Sequence, residues 1–285
     1  MGLVAYDVGK ERAAGARVLR ALVDLGFPCN LACAGCGRRR SPPPDAVALE
    51  DLAANLARAV EESEPARAAV VFYGGEPLLD VEGVAQASAA IRAACRRLGA
   101  AYEATVITNG TLLDERAAVA LAAAGIVKVQ VTLAGPPPMH DGRRPLGGAG
   151  SFHRILRNLR GARRHLAVLV RCDVAEGCGL GAVADLVRLL EAEGFFDEPR
   201  PATILLGRPG SYASQARAIL AFTGPAAPPV LARGGCEEAP CTSPAWRGRS
   251  AAHARTPAGV TPEGPHLSIF PLPAGSNLQA RSPHA

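Results

Sequence analysis

With 285 residues, 48% of them apolar and 20% charged, the chain can bury one large core, and at 4% aromatics that core must be built from Ala, Leu and Val. The formal net charge of +5 comes from scattered arginines, Lys10 and Lys128 being the only lysines, and without aromatic interleaving it argues against a nucleic-acid partner. No apolar run of about 18 residues offers a membrane span. Asp7, Lys10, Glu11, Arg12 and Arg17 interrupt any apolar leader near the start, so the cytoplasm is expected, with its eight cysteines reduced.

In chain order, residues 1–17 read as an N-terminal extension. Residues 18–223 read as the core domain, and within them 18–206 alternate short β-branched runs with Ala/Leu/Arg-rich stretches of helical length. The expected strands are 18–25, 69–73, 105–108, 127–133, 167–172 and 203–206, and the expected helices are 46–62, 84–98, 114–124, 152–165 and 180–193. Strands and helices in strict alternation imply βαβ units on a parallel sheet. Val127, Val129, Val131 and Leu133 with Ile126 read as a strand buried on both faces. Asp45 and Asp114 are candidate N-caps. From Pro199 onward the texture changes: 14 of the 24 prolines lie there and no period persists. Residues 224–285 are therefore expected to be a loop-rich, poorly structured tail.

Four motifs carry chemistry, three of them directly at expected strand ends. Cys29-Asn-Leu-Ala-Cys33-Ala-Gly-Cys36 puts three thiols at i, i+4 and i+7 on one loop, with no local fourth ligand. By spacing alone an iron–sulfur cluster and a zinc site finished by a distant residue stand level. Gly74-Gly75-Glu76-Pro77 follows the second strand, where ligands of parallel α/β folds gather; the glycines permit close backbone approach and Glu76 could serve an ammonium group, although an ordinary turn explains the same residues. Thr108-Asn109-Gly110-Thr111 ends the third strand and is good turn chemistry in its own right. Thr132 and Leu133 precede Ala134-Gly135-Pro136, and His140-Asp141-Gly142-Arg143-Arg144 and Gly148-Ala149-Gly150-Ser151-Phe152 follow. His140 and Asp141 read either as acid–base groups or as a capping pair, and Arg143 and Arg144 as a carboxylate clamp or a solvated pair.

Taken together, CNLxCxxC, GGEP, TNG and VTLxGP…HDxxR…GxGSF resemble the radical SAM superfamily, in the branch of anaerobic sulfatase-maturating enzymes and peptide maturases with SPASM-type tails. The resemblance spans roughly residues 18–210. It implies a partial (βα)6 parallel barrel of radical SAM type. It also implies a 4Fe–4S cluster held by Cys29, Cys33 and Cys36, with S-adenosylmethionine chelated at the open iron. Reductive cleavage of that cofactor would yield a 5′-deoxyadenosyl radical that abstracts a hydrogen atom from a peptide or protein side chain. The alternatives are a small-metabolite substrate, or an inactive metal-binding scaffold. An external electron donor such as a flavodoxin or ferredoxin is implied as a partner. By the same resemblance Gly74, Gly75, Glu76, Pro77, Asn109 and Thr132 fall near the cofactor, and Arg144 and Arg171 are candidates for its carboxylate. Three features depart from the family pattern: Gly35 replaces an aromatic before the third cysteine, Ala134 replaces an Asp, and the tail offers only Cys236 and Cys241 where a SPASM region carries many cysteines. The tail thus reads as a degenerate or truncated SPASM region. Cys95, Cys172 and Cys178 are expected to be buried apolar thiols.

Overall fold

The computed structural model describes residues 3–10, 16–26, 28–33, 36, 48–173, 180–197, 200–207 and 267–269. Among these residues eight strands form one sheet in sequential order: β1 (Leu3–Lys10), β2 (Arg17–Asp24), β3 (Arg67–Tyr73), β4 (Ala101–Thr108), β5 (Ile126–Thr132), β6 (Ala167–Asp173), β7 (Thr203–Gly207) and β8 (Leu267–Ile269). β1 pairs antiparallel with β2, and every later pair is parallel. The connections carry α1 (Leu49–Ser63), α2 (Val81–Arg97), α3 (Glu115–Ala123), α4 (Pro137–Arg143), α5 (Phe152–Ala162) and α6 (Leu180–Ala192).

A parallel sheet whose strand order never reverses has no switch point. Crossovers of one hand then put every helix on the same face, and the sheet curls around its other face. The six parallel strands β2–β7 with these helices make the expected partial (βα)6 barrel. The main core lies between strands and helices: Val129, Val131 and Leu133 of the β5 segment join Val70 and Phe72 of β3, Val106 of β4 and Leu156 and Leu159 of α5. Small alanines such as Ala87, Ala94 and Ala118 let the helices sit close to the sheet.

The opposite, inner face is more polar than expected. Alternation along the strands places Glu103 and Thr105 of β4, Lys128, Gln130 and Thr132 of β5 and Arg171 of β6 there. Glu103 bridges Arg67 at 3.0 Å and also pairs with Lys128. β5 is buried on both faces over Val129–Thr132, as expected, but its inner face there is the polar pair Gln130 and Thr132, and Val127 is 43% exposed.

The expected strands and helices all form. Asp114 caps α3, its Oδ1 accepting from the Ala117 amide at 2.8 Å. α1 starts at Leu49 behind Ala48, without a side-chain cap; Asp45 lies outside the described residues. Within the 1–17 segment, β1 extends the sheet along all of β2, and within the 224–285 segment Leu267–Ile269 adds the far edge strand. Cys95 and Cys172 are buried, as expected. Gly35, Cys178, Cys236 and Cys241 lie outside the described residues, as does the rest of the tail apart from β8.

Candidate cofactor site at the strand ends

β2 and β3 leave the sheet side by side: Leu25 N–H donates to Tyr73 O at 2.8 Å, and Asp24 turns the chain by accepting from Gly26 N–H at 3.0 Å. The cysteine loop follows β2 and the Gly74–Pro77 turn follows β3, and Glu76 N–H donates to Pro28 O at 2.9 Å, tying loop to turn. Gly74 and Gly75 both have positive φ, 110° and 56°, which any side chain would resist. That turn directs Glu76 inward.

Glu76 is fully buried. Its Oε1 accepts from Leu78 N–H at 2.9 Å and from the Thr108 hydroxyl at 2.6 Å, and its Oε2 accepts from Asn109 N–H at 2.6 Å. The carboxylate thus braces the end of β3 against the end of β4. Three of the roughly four acceptor positions of the Glu76 carboxylate are thus taken by the protein itself. Burial raises its pKa above the ordinary carboxylate range, against the three hydrogen bonds that favour the anion.

Asn109, at the end of β4, reaches back to the cysteine loop. Its Nδ2 donates to Asn30 Oδ1 at 2.8 Å and lies 3.7 Å from Cys29 Sγ, which also accepts from Leu31 N–H at 3.5 Å. The Cys29 thiol is held above its ordinary pKa, first by desolvation and then by the charges of Glu76 and Cys33, against the hydrogen bonds from Leu31 and Asn109. Cys33 and Cys36 are half-buried on the same loop, and Cys36 N–H donates to Cys33 O at 3.2 Å.

No three His, Cys, Asp or Glu side chains among the described residues are gathered into a coordination shell. The donor set nonetheless fits a cluster in kind and place. Three thiols share one loop at the C-terminal ends of the strands, N–H groups already face one sulfur, and a cluster would itself supply the convergence.

Two strands further round, Thr132 and Arg171 are register partners at the ends of β5 and β6, both buried, and Leu133 N–H donates to Arg171 O at 2.9 Å. The loop after β5 is locked by His140, which is fully buried. Its Nδ1 accepts from Ala134 N–H at 3.1 Å, and its Nε2 lies 3.0 Å from Ser151 Oγ, whose proton goes to Arg144 O at 2.7 Å. Nε2 is therefore the protonated nitrogen, and the ring is neutral. Burial and the Arg144 charge depress its pKa to about 4, opposed by Asp141. Asp141 Oδ1 accepts from the amides of Ser151 and Phe152 at 2.8 and 2.9 Å, holding the start of α5. Of the two readings for His140 and Asp141, the structural pair is the one formed.

Arg143 donates to Ala134 O at 3.3 Å, and Arg144 lies beside His140. The loop they occupy still touches the cysteine loop, through Ala32 N–H to Pro145 O at 3.2 Å. The structure thus joins Cys29, Gly74–Pro77, Asn109 and the cysteine loop directly, and it places Thr132 and Arg171 at the same end of the barrel. Asn30 and Thr111, which the sequence motifs contain without a role assigned to them, lie inside this network. Their signal was adjacency to Cys29 and to the Asn-Gly turn.

A family model described as the radical SAM superfamily matches residues 25–189. The chain belongs to the radical SAM superfamily. An uncharacterised protein of Methanocaldococcus jannaschii is 28% identical over 62% of this chain and 54% of its own length. The GTP 3′,8-cyclase of Parasynechococcus marenigrum is 33% identical over 54% of this chain and 45% of its own. The chain thus spans about half the length of the curated relatives it matches. Among solved structures, the anaerobic sulfatase-maturating enzyme with bound S-adenosylmethionine superposes with a TM-score of 0.55 at 18% identity, over 66% of this chain and 51% of that one. The same enzyme with S-adenosylmethionine and a bound peptide gives 0.56 at 20% identity, over 67% and 51%. At these identities the likeness speaks for the fold. The cofactors of the radical SAM superfamily are a 4Fe–4S cluster and S-adenosylmethionine. No helix among the described residues is long and apolar enough to cross a membrane.

Proposed function

We propose that this radical SAM protein holds its cluster through Cys29, Cys33 and Cys36, binds S-adenosylmethionine across the adjoining strand ends, and abstracts a hydrogen atom from a peptide or protein side chain. The observation that carries the proposal is the bonding of the cysteine loop to the ends of β3 and β4, through Glu76 N–H to Pro28 O and Asn109 to Asn30 and Cys29. Ligands of parallel barrels bind at this end.

When bound, the cluster supplies the electron that cleaves the cofactor's sulfonium C–S bond to give the hydrogen-abstracting radical. The chain's own residues bind, orient and exclude water. The main chain of Gly74 and Gly75, free of side chains, would approach the methionyl ammonium. Glu76 and Pro77 fix that turn from behind. Thr132 offers a hydroxyl and Arg171 a cation to a carboxylate at the ends of β5 and β6, with Arg144 as the further candidate. Burial of Thr132 and Arg171 strengthens such contacts by keeping water away.

The peptide reading is supported by the HDxxR…GxGSF pattern and by the peptide-bound state of the sulfatase-maturating enzyme that shares the fold. The relatedness to a GTP cyclase favours a small-molecule substrate as the second reading. The cluster's electron would come from an external donor such as a flavodoxin or ferredoxin. The test is anaerobic reconstitution of the full chain, chemical reduction and incubation with S-adenosylmethionine, with 5′-deoxyadenosine read by mass spectrometry. Two arms add GTP or peptides encoded beside the gene. Formation of 5′-deoxyadenosine, stimulated by a peptide, is expected. Stimulation by GTP alone would favour the second reading, and a fully iron-loaded chain that forms no 5′-deoxyadenosine would refute both.

A further inference from the structure

We infer that Asn30, Thr111 and Asn109 form a side-chain ring that positions Cys29 and sets how readily the cluster bound there is reduced; this rests on the reading of Cys29 as a cluster ligand. Each member lies on a different stretch of chain or on the opposite side of the turn after β4. Asn30 Nδ2 donates to Thr111 Oγ1 at 2.9 Å, the Thr111 hydroxyl donates to Asn109 Oδ1 at 2.6 Å, and Asn109 Nδ2 donates to Asn30 Oδ1 at 2.8 Å. Thr111 N–H adds a second bond to Asn109 Oδ1 at 2.9 Å.

The donors and acceptors leave one solution. Flipping the Asn109 amide would aim its NH2 at the Thr111 N–H, donor against donor, so Oδ1 must face Thr111 and Nδ2 must face the cysteine loop. Asn109 Nδ2 has two hydrogens. One goes to Asn30, and the second is left to face Cys29 Sγ at 3.7 Å. With Leu31 N–H at 3.5 Å, two N–H dipoles point at one sulfur.

Thr111 touches neither the sulfur nor the expected cofactor position, yet it orients the amide that does. It is 1% exposed, and its carbonyl is held from α5 by Arg154 Nε at 2.9 Å and Asn158 Nδ2 at 3.0 Å. The ring is therefore anchored to a packed helix, while its other edge holds the cysteine loop. N–H groups aimed at a ligating sulfur stabilise the extra negative charge of the reduced cluster and so raise its potential. Asn30 and Thr111 act as positioning residues through Asn109.

The test uses the full chain, reconstituted anaerobically as wild type, Thr111→Val, Thr111→Ser and Asn30→Ala, with EPR-monitored redox titration and the EPR spectrum of the reduced cluster. Thr111→Val keeps the shape and removes the hydroxyl, and Thr111→Ser keeps the hydroxyl. Asn30→Ala lies on a partly exposed loop and reports on the ring even if the buried Thr111 substitution impairs folding. The expected result is a lower midpoint potential and shifted g-values for Thr111→Val and Asn30→Ala, with wild-type behaviour restored in Thr111→Ser. Wild-type potential and spectrum in Asn30→Ala would overturn the inference. A wild type that takes up no cluster overturns the assignment of Cys29 instead, and is a different result from variants that match a loaded wild type.

Discussion

Replacing Glu76 with Gln separates a brace from a ligand contact. Three donors converge on two carboxylate oxygens in a site without solvent: Leu78 N–H and the Thr108 hydroxyl on Oε1, and Asn109 N–H on Oε2. A glutamine has one oxygen to offer. With that oxygen facing Leu78 and Thr108, its NH2 meets the Asn109 amide, and a buried N–H loses its acceptor. With the amide reversed, the Thr108 hydroxyl can turn to accept, but the Leu78 amide is orphaned. Either way one buried donor is stranded, at a cost of about 1–3 kcal/mol. Relief of the desolvation that raises the Glu76 pKa acts in the opposite direction. Urea unfolding at neutral pH should therefore show a loss inside that range, and exchange of the Asn109 amide should quicken about tenfold for each 1.4 kcal/mol lost locally. The raised pKa adds a signature. A buried acid destabilises the fold as pH rises from the ordinary carboxylate range through its raised folded value, and Glu76→Gln should remove that component. Unchanged stability and unchanged Asn109 protection, with weakened S-adenosylmethionine binding, would refute the brace and restore the ligand reading of Glu76.

Other expectations follow from the same geometry. His140 is neutral in the fold with a pKa near 4, against 6.5 when free, so its stabilisation is complete above about pH 6.5 and is lost as pH falls toward 4; urea unfolding at several pH values should show a loss of about 3 kcal/mol across that window, absent in His140→Asn. An equal acid slope in that variant would place the loss elsewhere. A Cβ on Gly150 would lie 2.4 Å from Asp141 Oδ2. Gly150→Ala should therefore dislodge the Asp141 bonds to Ser151 and Phe152 and cost about 0.5–2 kcal/mol, with little added by Asp141→Ala in a double-mutant cycle; full additivity would contradict the shared cause. Thr105 Oγ1 is buried on the inner face with no hydrogen-bond partner among the described residues. Thr105→Val should leave thermal stability equal or higher, and a lower melting temperature would disprove that the hydroxyl is unsatisfied.

The barrel was legible in the sequence because its signal is local. Each run such as 203–206 is β-branched or apolar, each stretch such as 180–193 has helical length, and their alternation dictates parallel pairing. β1 was not legible although Val4, Tyr6 and Val8 alternate with Ala5, Asp7 and Gly9, because Asp7, Gly9 and Lys10 interrupt the apolar run that marks the other strands. α4 was missed because Pro136–Pro138 suggests a break, whereas proline in the first helical turn is favourable. The polarity of the inner face of β5 was not legible because Val127, Val129 and Val131 mask the alternating Lys128, Gln130 and Thr132. In the site, strand-end motifs placed Cys29, Gly74–Pro77 and Asn109 together. The bonds among them were not legible. Glu76 to Thr108, or Asn30 to Thr111, joins residues far apart in sequence through side-chain orientation, and no local pattern encodes that.

The most direct measurement of the central claim is iron and zinc content after anaerobic reconstitution, for the wild type and for the triple variant Cys29→Ala, Cys33→Ala, Cys36→Ala. The account predicts about four irons per chain in the wild type and almost none in the variant, with the fold intact by circular dichroism. Zinc as the only metal in the wild type, or full iron content in the triple variant, would contradict it.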